Sequence, residues 1–141
     1  MRMLYNALIR THHITSRKKV AALKRAADAH QCYVLLRSGG CPGIMYVEGQ
    51  DKGHVEAWVG VVRKLQYKDF QLVTRPGAVA PERGDVVREK TEGKEWDLDA
   101  DLDLDLDLDR GLVEVDSVKE FGGCMARRGV WNWWRRGMGY T

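Results

Sequence analysis

This sequence is short of the residues that several function classes need. Three cysteines, Cys32, Cys41 and Cys124, stand far apart in 141 residues. They are too few for a disulfide scaffold and are compatible with a reducing, intracellular compartment, nucleus or cytoplasm. No apolar run approaches the roughly 18 residues a membrane span requires, so no membrane partner is expected. The N-terminus, Met1-Arg2-Met3-Leu4-Tyr5-Asn6, has no long apolar core of the kind a secretory signal carries. No Ser/His/Asp or Cys/His spacing and no paired carboxylates mark a catalytic centre. The stretch Arg37-Ser38-Gly39-Gly40-Cys41-Pro42-Gly43 lacks the spacing of a phosphate loop and leads into a strand instead of a helix N-terminus, so it reads as a turn. Neither an enzyme activity nor a cofactor or metal is expected.

What is present suits one domain with an appendage. Hydrophobic content is 44%, near the globular norm, which argues against a fully disordered chain. Net charge is +3, but Asp97, Asp99, Asp101, Asp103, Asp105, Asp107 and Asp109 contribute −7 of it, leaving the rest of the chain at +10. Such an excess fits an anionic partner; the plainer reading is a basic surface that keeps the protein soluble.

The pattern along the chain alternates strands and helices. Residues 7–14 form a first strand of β-branched and apolar residues. His12 and His13 are adjacent on it and are expected to point to opposite faces, so that they do not readily chelate one metal. Thr15-Ser16 offers a cap for a helix over residues 17–30, with Val20, Leu23 and Ala27 as its buried stripe. Residues 32–36 are a second strand. Cys41-Pro42-Gly43 turns into a third over residues 44–47, the strand expected near the middle of the sheet. Asp51 caps a second helix through residue 65, with Val55, Trp58, Val59, Val62 and Leu65 on one face. Residues 68–74 are a fourth strand, stopped by Arg75-Pro76-Gly77. Strand, helix, strand, strand, helix, strand with right-handed crossovers makes a ferredoxin-like α+β fold over residues 5–77. Its four-stranded antiparallel sheet carries both helices on one face.

Beyond it, residues 78–111 read as a polar and acidic low-complexity linker. Its Asp-Leu alternation has no glycine to turn the backbone around a calcium ion. Residues 112–141 read as a helical extension, capped by Asp116 or Ser117 and broken at Gly129. Val118, Phe121 and Met125 form one stripe there, and Trp131, Trp134 and Met138 another. That spacing docks the tryptophans on the body and leaves Arg127, Arg128, Arg135 and Arg136 in water. The other reading has arginine and aromatic side chains stacking on bases or lying at a membrane surface.

On the first helix, Arg17 and Lys24 share one direction and Lys18 and Arg25 a neighbouring one, roughly opposite the apolar stripe. No acidic residue interleaves before Asp28, and Arg17-Lys18-Lys19 crowds the positive end of the helix dipole. A cost of that kind hints at a use outside the fold, although most basic helix faces are simply solvated.

Ile9-Arg10-Thr11-His12-His13-Ile14, Arg17-Lys18-Lys19, Pro42-Gly43-Ile44-Met45-Tyr46-Val47-Glu48-Gly49, Trp58 and Arg63-Lys64-Leu65-Gln66-Tyr67-Lys68 occur in a telling order. Together they resemble the C-terminal domain shared by the spliceosomal small nuclear ribonucleoprotein Prp-three and the RWD-domain-containing proteins of the RWDD-two type. The likeness covers about the first half of the chain, with a weaker echo of fungal members in the C-terminal helices. It implies a ferredoxin-like fold and, from the spliceosomal branch, binding of small nuclear RNA. The chain departs from that pattern in two ways. The sequence is expected to start directly at the ferredoxin-like part, without the RWD domain that precedes it in that branch, and Arg37-Ser38-Gly39-Gly40-Cys41 replaces the family's lysine-proline-glycine approach.

The functional expectation is a non-enzymatic RNA-binding module. Arg17, Lys18, Lys24 and Arg25 would contact phosphate, with His12 or His13 stacking or hydrogen bonding. The alternative is a protein-interaction module working through the open sheet face or a strand edge.

Overall fold

The computed structural model describes residues 3–80 and 110–140, so the Asp-Leu run lies outside the described residues. Among the described residues, five strands and four helices follow in the order β1 (Tyr5–Thr11), α1 (Arg17–Ala29), β2 (Tyr33–Arg37), β3 (Gly43–Gly49), α2 (Lys52–Leu65), β4 (Gln71–Ala78), β5 (Gly111–Val115), α3 (Val118–Arg127) and α4 (Trp131–Met138).

The strands form one α+β sheet in the order β4-β1-β3-β2-β5, with β3 in the middle. β1 pairs antiparallel with β3 and β4, and β2 pairs antiparallel with β3. The sheet departs from the expected four-stranded antiparallel one because β5 adds a fifth strand, parallel to β2. Gly111 N–H donates to the Cys32 carbonyl at 2.8 Å, and Ser38 N–H to the Val115 carbonyl at 3.1 Å. Gly111-Leu112-Val113-Glu114-Val115 thus belongs to the sheet, where the sequence pattern suggested the end of a linker and the start of a helical extension. β4 also runs through Arg75-Pro76-Gly77, which was expected to stop it. Among the described residues its sole partner in the sheet is β1, and proline is tolerated on such an edge because no further strand there needs its missing N–H.

Helix ends are set locally. The Ser16 hydroxyl accepts from Lys19 N–H at 3.2 Å, and Asp51 Oδ1 accepts from Gly53 N–H at 2.7 Å. Ser117 and Glu120 form a capping box that starts α3.

The sheet is buried on both faces. Alternate residues Ala7, Ile9, Val34, Leu36, Met45 and Val47 face α1 and α2, where they meet Val20, Leu23, Val55, Trp58 and Val62. The intervening Leu8, Tyr33, Leu35, Ile44 and Tyr46 face α3 and α4, where they meet Phe121, Met125, Val130, Trp134 and Met138. The face expected to be open is therefore covered. Trp134 and Met138 dock as the spacing requires, while Trp131 stays 36% exposed beneath Arg135. No helix among the described residues is long and apolar enough to cross a membrane.

Candidate functional site

The topology gathers the β1–α1, β2–β3, α2–β4 and β5–α3 connections at one end of the sheet. His12, His13, the start of α1, Cys41 and Lys68 all lie there. β1 ends at Thr11, so the two histidines sit beyond the strand and escape its alternation. Their rings meet edge to face with centroids 4.0 Å apart. The expectation that they point to opposite faces does not hold, because the backbone has already left the sheet. His12 N–H donates to the Lys68 carbonyl at 3.0 Å, and Gly43 N–H donates to the His12 carbonyl at 3.2 Å. His12 is thereby pinned between the α2–β4 connection and the start of β3. A side chain at Gly43 would lie 2.5 Å from Thr11 Oγ1 and 2.6 Å from Ile14 Cγ1, so the close approach of β3 to β1 requires glycine.

The four cations of α1 separate into two groups. Arg17 reaches across to β5, where Nη2 donates to Glu114 Oε1 at 2.9 Å and Nη1 to Oε2 at 3.2 Å. That fork raises the guanidinium above its ordinary pKa. The Arg17 hydrogen bond in turn holds the Glu114 carboxyl below its ordinary range, with partial burial opposing and Ser38 assisting. Lys18, Lys24 and Arg25 are exposed and make no ion pair among the described residues. Lys19 instead lies 4.9 Å over the Tyr67 ring, and burial pushes the Tyr67 phenol up to about 12.

Other arginines are structural ties. Arg37 donates to the Asp116 carbonyl at 3.0 Å and to the Pro42 carbonyl at 2.9 Å, joining the β2–β3 turn to the end of β5. Arg128 forks onto buried Glu48, Nη2 to Oε2 at 2.7 Å and Nε to Oε1 at 3.3 Å, with its guanidinium 3.8 Å over the Tyr33 ring. Burial pulls the guanidinium down, but the Glu48 hydrogen bond and charge outweigh it and the net direction is up. Tyr46 donates to Glu48 at 2.5 Å and accepts from Asn6 at 3.2 Å. Burial first, then the Glu48 charge, holds the Tyr46 phenol well above its ordinary range, so it stays a donor.

Arg128 was expected in water; docking of α3 brings it onto β3 instead. The sequence carried one signal for this. Glu48 follows Ile44 and Tyr46 on the same face of β3, a carboxylate in a row of buried positions.

A cleft of about 310 Å³ lies at the opposite end of the sheet, lined by Glu48, Asp51, His54, Gln31 and Arg110 among others. Its carboxylates are engaged, Glu48 with Arg128 and Asp51 as the cap of α2. Burial first, and then the nearby Asp51 charge, push the thiol of Cys32, buried close by, up to about 11.

No protein-family model matches the chain, and neither a curated protein nor a solved structure does.

Proposed function

We propose that this protein is a non-enzymatic module that binds RNA through its phosphate backbone, using the solvent side of α1. One observation carries the reading. Lys18, Lys24 and Arg25 stay exposed and unpaired among the described residues, while Arg17, Arg37 and Arg128 are drawn into structural contacts. Three cations held on one helix face without carboxylate partners form an electrostatic footprint for a polyanion. The histidine pair at the start of α1 adds donors beside it. The resemblance to the spliceosomal domain points the same way, and the antiparallel β4-β1-β3-β2 core supports a ferredoxin-like ancestry with β5 as an addition. Because α3 and α4 cover the second sheet face, bases have no strand platform to stack on, and recognition is of shape and backbone.

The test replaces Lys18, Lys24 and Arg25 together by glutamine and follows single-stranded RNA by fluorescence anisotropy across a salt series. The triple variant binds more weakly, and the slope of log K against log salt flattens by about 2, from roughly 0.7 per lost phosphate contact. Unchanged affinity with an unchanged slope removes α1 from the interface.

A protein partner is the second reading. It no longer has an open sheet face to use, but the outer edge of β4 has no strand partner among the described residues. Pairing along that edge would depend far less on salt than RNA binding does.

A further inference from the structure

The β1–α1 and β2–β3 connections bring three metal-binding side chains together. One donor atom each from His12, His13 and Cys41 lies within 4.8 Å of the others. His12 Nδ1 is 3.8 Å from Cys41 Sγ and 3.6 Å from Asp69 Oδ2. Tetrahedral zinc, with bonds of about 2.0–2.1 Å to nitrogen and about 2.3 Å to sulfur, sets its ligand atoms roughly 3.3–3.6 Å apart. The first of these distances is within a few tenths of an ångström of that spacing, and the second reaches it.

The arrangement is a product of the fold and not of sequence proximity, since Cys41 stands 29 residues beyond His12. The backbone beneath it is fixed. His12 is held through both its N–H and its carbonyl, Gly43 is packed against Thr11 and Ile14, and the Thr11 hydroxyl donates to the His13 carbonyl at 3.3 Å. The side chains above that frame are half-buried for His12 and exposed for His13 and Cys41. They reach solvent, so an ion can enter.

We infer that His12, His13 and Cys41 form a binding site for a divalent transition metal of the zinc class. Two imidazoles and a thiolate are a borderline-soft set that suits zinc or cobalt and disfavours magnesium or calcium. The fourth position is open to water or to the Asp69 carboxylate. The ion would tie the β1–α1 connection to the β2–β3 turn and stabilise the folded state by mass action. The inference does not rest on RNA binding, and its readouts involve no RNA.

The test adds Co²⁺ to the reduced, whole 141-residue chain and follows thiolate-to-cobalt charge-transfer absorption. One equivalent of Co²⁺ produces the band, and Zn²⁺ abolishes it by displacement. Cys41→Ser eliminates the band. His12→Ala and His13→Ala each weaken Co²⁺ binding by more than about tenfold, since loss of an outer-shell partner alone costs about 10–100-fold. Absence of the band in the parent protein overturns the assignment. So does a band that survives Cys41→Ser, which places the thiolate at Cys124 or Cys32, or unchanged affinity in both histidine variants. Alkylation of Cys41 in the parent protein gives a measurement that needs no variant to fold. Zn²⁺ slows the reaction if the site exists, and an unslowed reaction sinks it.

Discussion

The two faces of the sheet are closed by different physics. Against α1 and α2 the contact is almost wholly apolar, and among the described residues its one buried side-chain hydrogen bond runs from Trp58 Nε1 to the Leu23 carbonyl at 3.1 Å. Against α3 and α4 there is an aromatic layer, with Tyr46 to Trp133, Phe121 to Trp134 and Trp134 to Tyr140 centroids between 5.5 and 5.8 Å. Set into that layer is the buried Arg128–Glu48–Tyr46–Asn6 network. The first face rests on periodicity alone: any good apolar stripe packs there. The second joins segments distant in sequence, and a charged pair that must meet its partner fixes where α3 ends on β3. A buried pair is weak evidence for added stability, because desolvation offsets its attraction. We regard setting of register as its use here, a hypothesis that the variants below test.

The largest effect is expected on the apolar face. Trp58 is fully buried, so Trp58→Ala leaves a cavity and removes its hydrogen bond to the Leu23 carbonyl, which keeps its helix donor. The expected loss is about 3–5 kcal/mol in urea unfolding, a large share of a small domain's stability. A loss under about 1 kcal/mol would contradict the packing. On the other face, Arg128→Ala strands the Glu48 charge. It should cost about 3 kcal/mol, the low end for a buried pair, because the Arg128 side chain keeps 13% exposure. Replacing both residues, Arg128→Met with Glu48→Gln, which keeps an acceptor for the Tyr46 hydroxyl, should recover most of that loss. If the double variant is as stable as the parent but shows broadened or doubled amide signals for α3, the network sets register. If it is stable and spectrally uniform, the network is dispensable for both.

Gly137 sharpens the comparison at smaller cost. It lets α4 lie close on β1 and β4, and an added Cβ would sit 2.9 Å from Leu8 Cδ2 and 3.2 Å from Val73 Cγ1 and Thr74 Oγ1. Alanine normally gains up to about 1 kcal/mol over glycine in a helix. Here overpacking of about 1–3 kcal/mol outweighs that gain, so Gly137→Ala should lower the denaturation midpoint. A raised midpoint would show that α4 sits on the sheet more loosely than α2 does.

The apolar face was legible because helix periodicity is a local signal. Val55, Trp58, Val59 and Val62 announce their face without reference to the rest of the chain. The covering of the second face was also written in the sequence. Tyr33-Val34-Leu35-Leu36 and Ile44-Met45-Tyr46-Val47 are continuous apolar runs, as strands buried on both sides require, whereas a strand with one wet face alternates. The fifth strand was masked by its neighbour. Five residues with a glycine and a glutamate carry little weight beside a run of seven aspartates, and a parallel edge pairing has no local hairpin to announce it. At the candidate site, the basic arc of α1 followed from helix geometry. The meeting of Cys41 with the histidines did not, because it depends on where β1 ends and how the β2–β3 turn comes back.

The smallest effect probes the place where fold and proposed function compete for one side chain. Arg17 was read from the sequence as a phosphate ligand, and the structure engages it with Glu114, which lies on the α1 side of β5. Because the folded Glu114 carboxyl lies below its ordinary value of 4.5, its contribution is fully present above that value and is lost as pH falls through the folded pKa. Glu114→Gln should therefore lower the urea midpoint slightly at neutral pH, with the difference from the parent shrinking below pH 4.5. A difference that stays constant down to about pH 3 would mean that the carboxylate's charge contributes nothing. The same variant frees Arg17, which is exposed and beside Lys18. If α1 is the RNA surface, Glu114→Gln binds RNA more tightly at low salt and steepens the salt slope by roughly 0.7, one added phosphate contact. If stability falls while RNA binding does not change, Arg17 belongs to the sheet alone and the interface is confined to Lys18, Lys24 and Arg25.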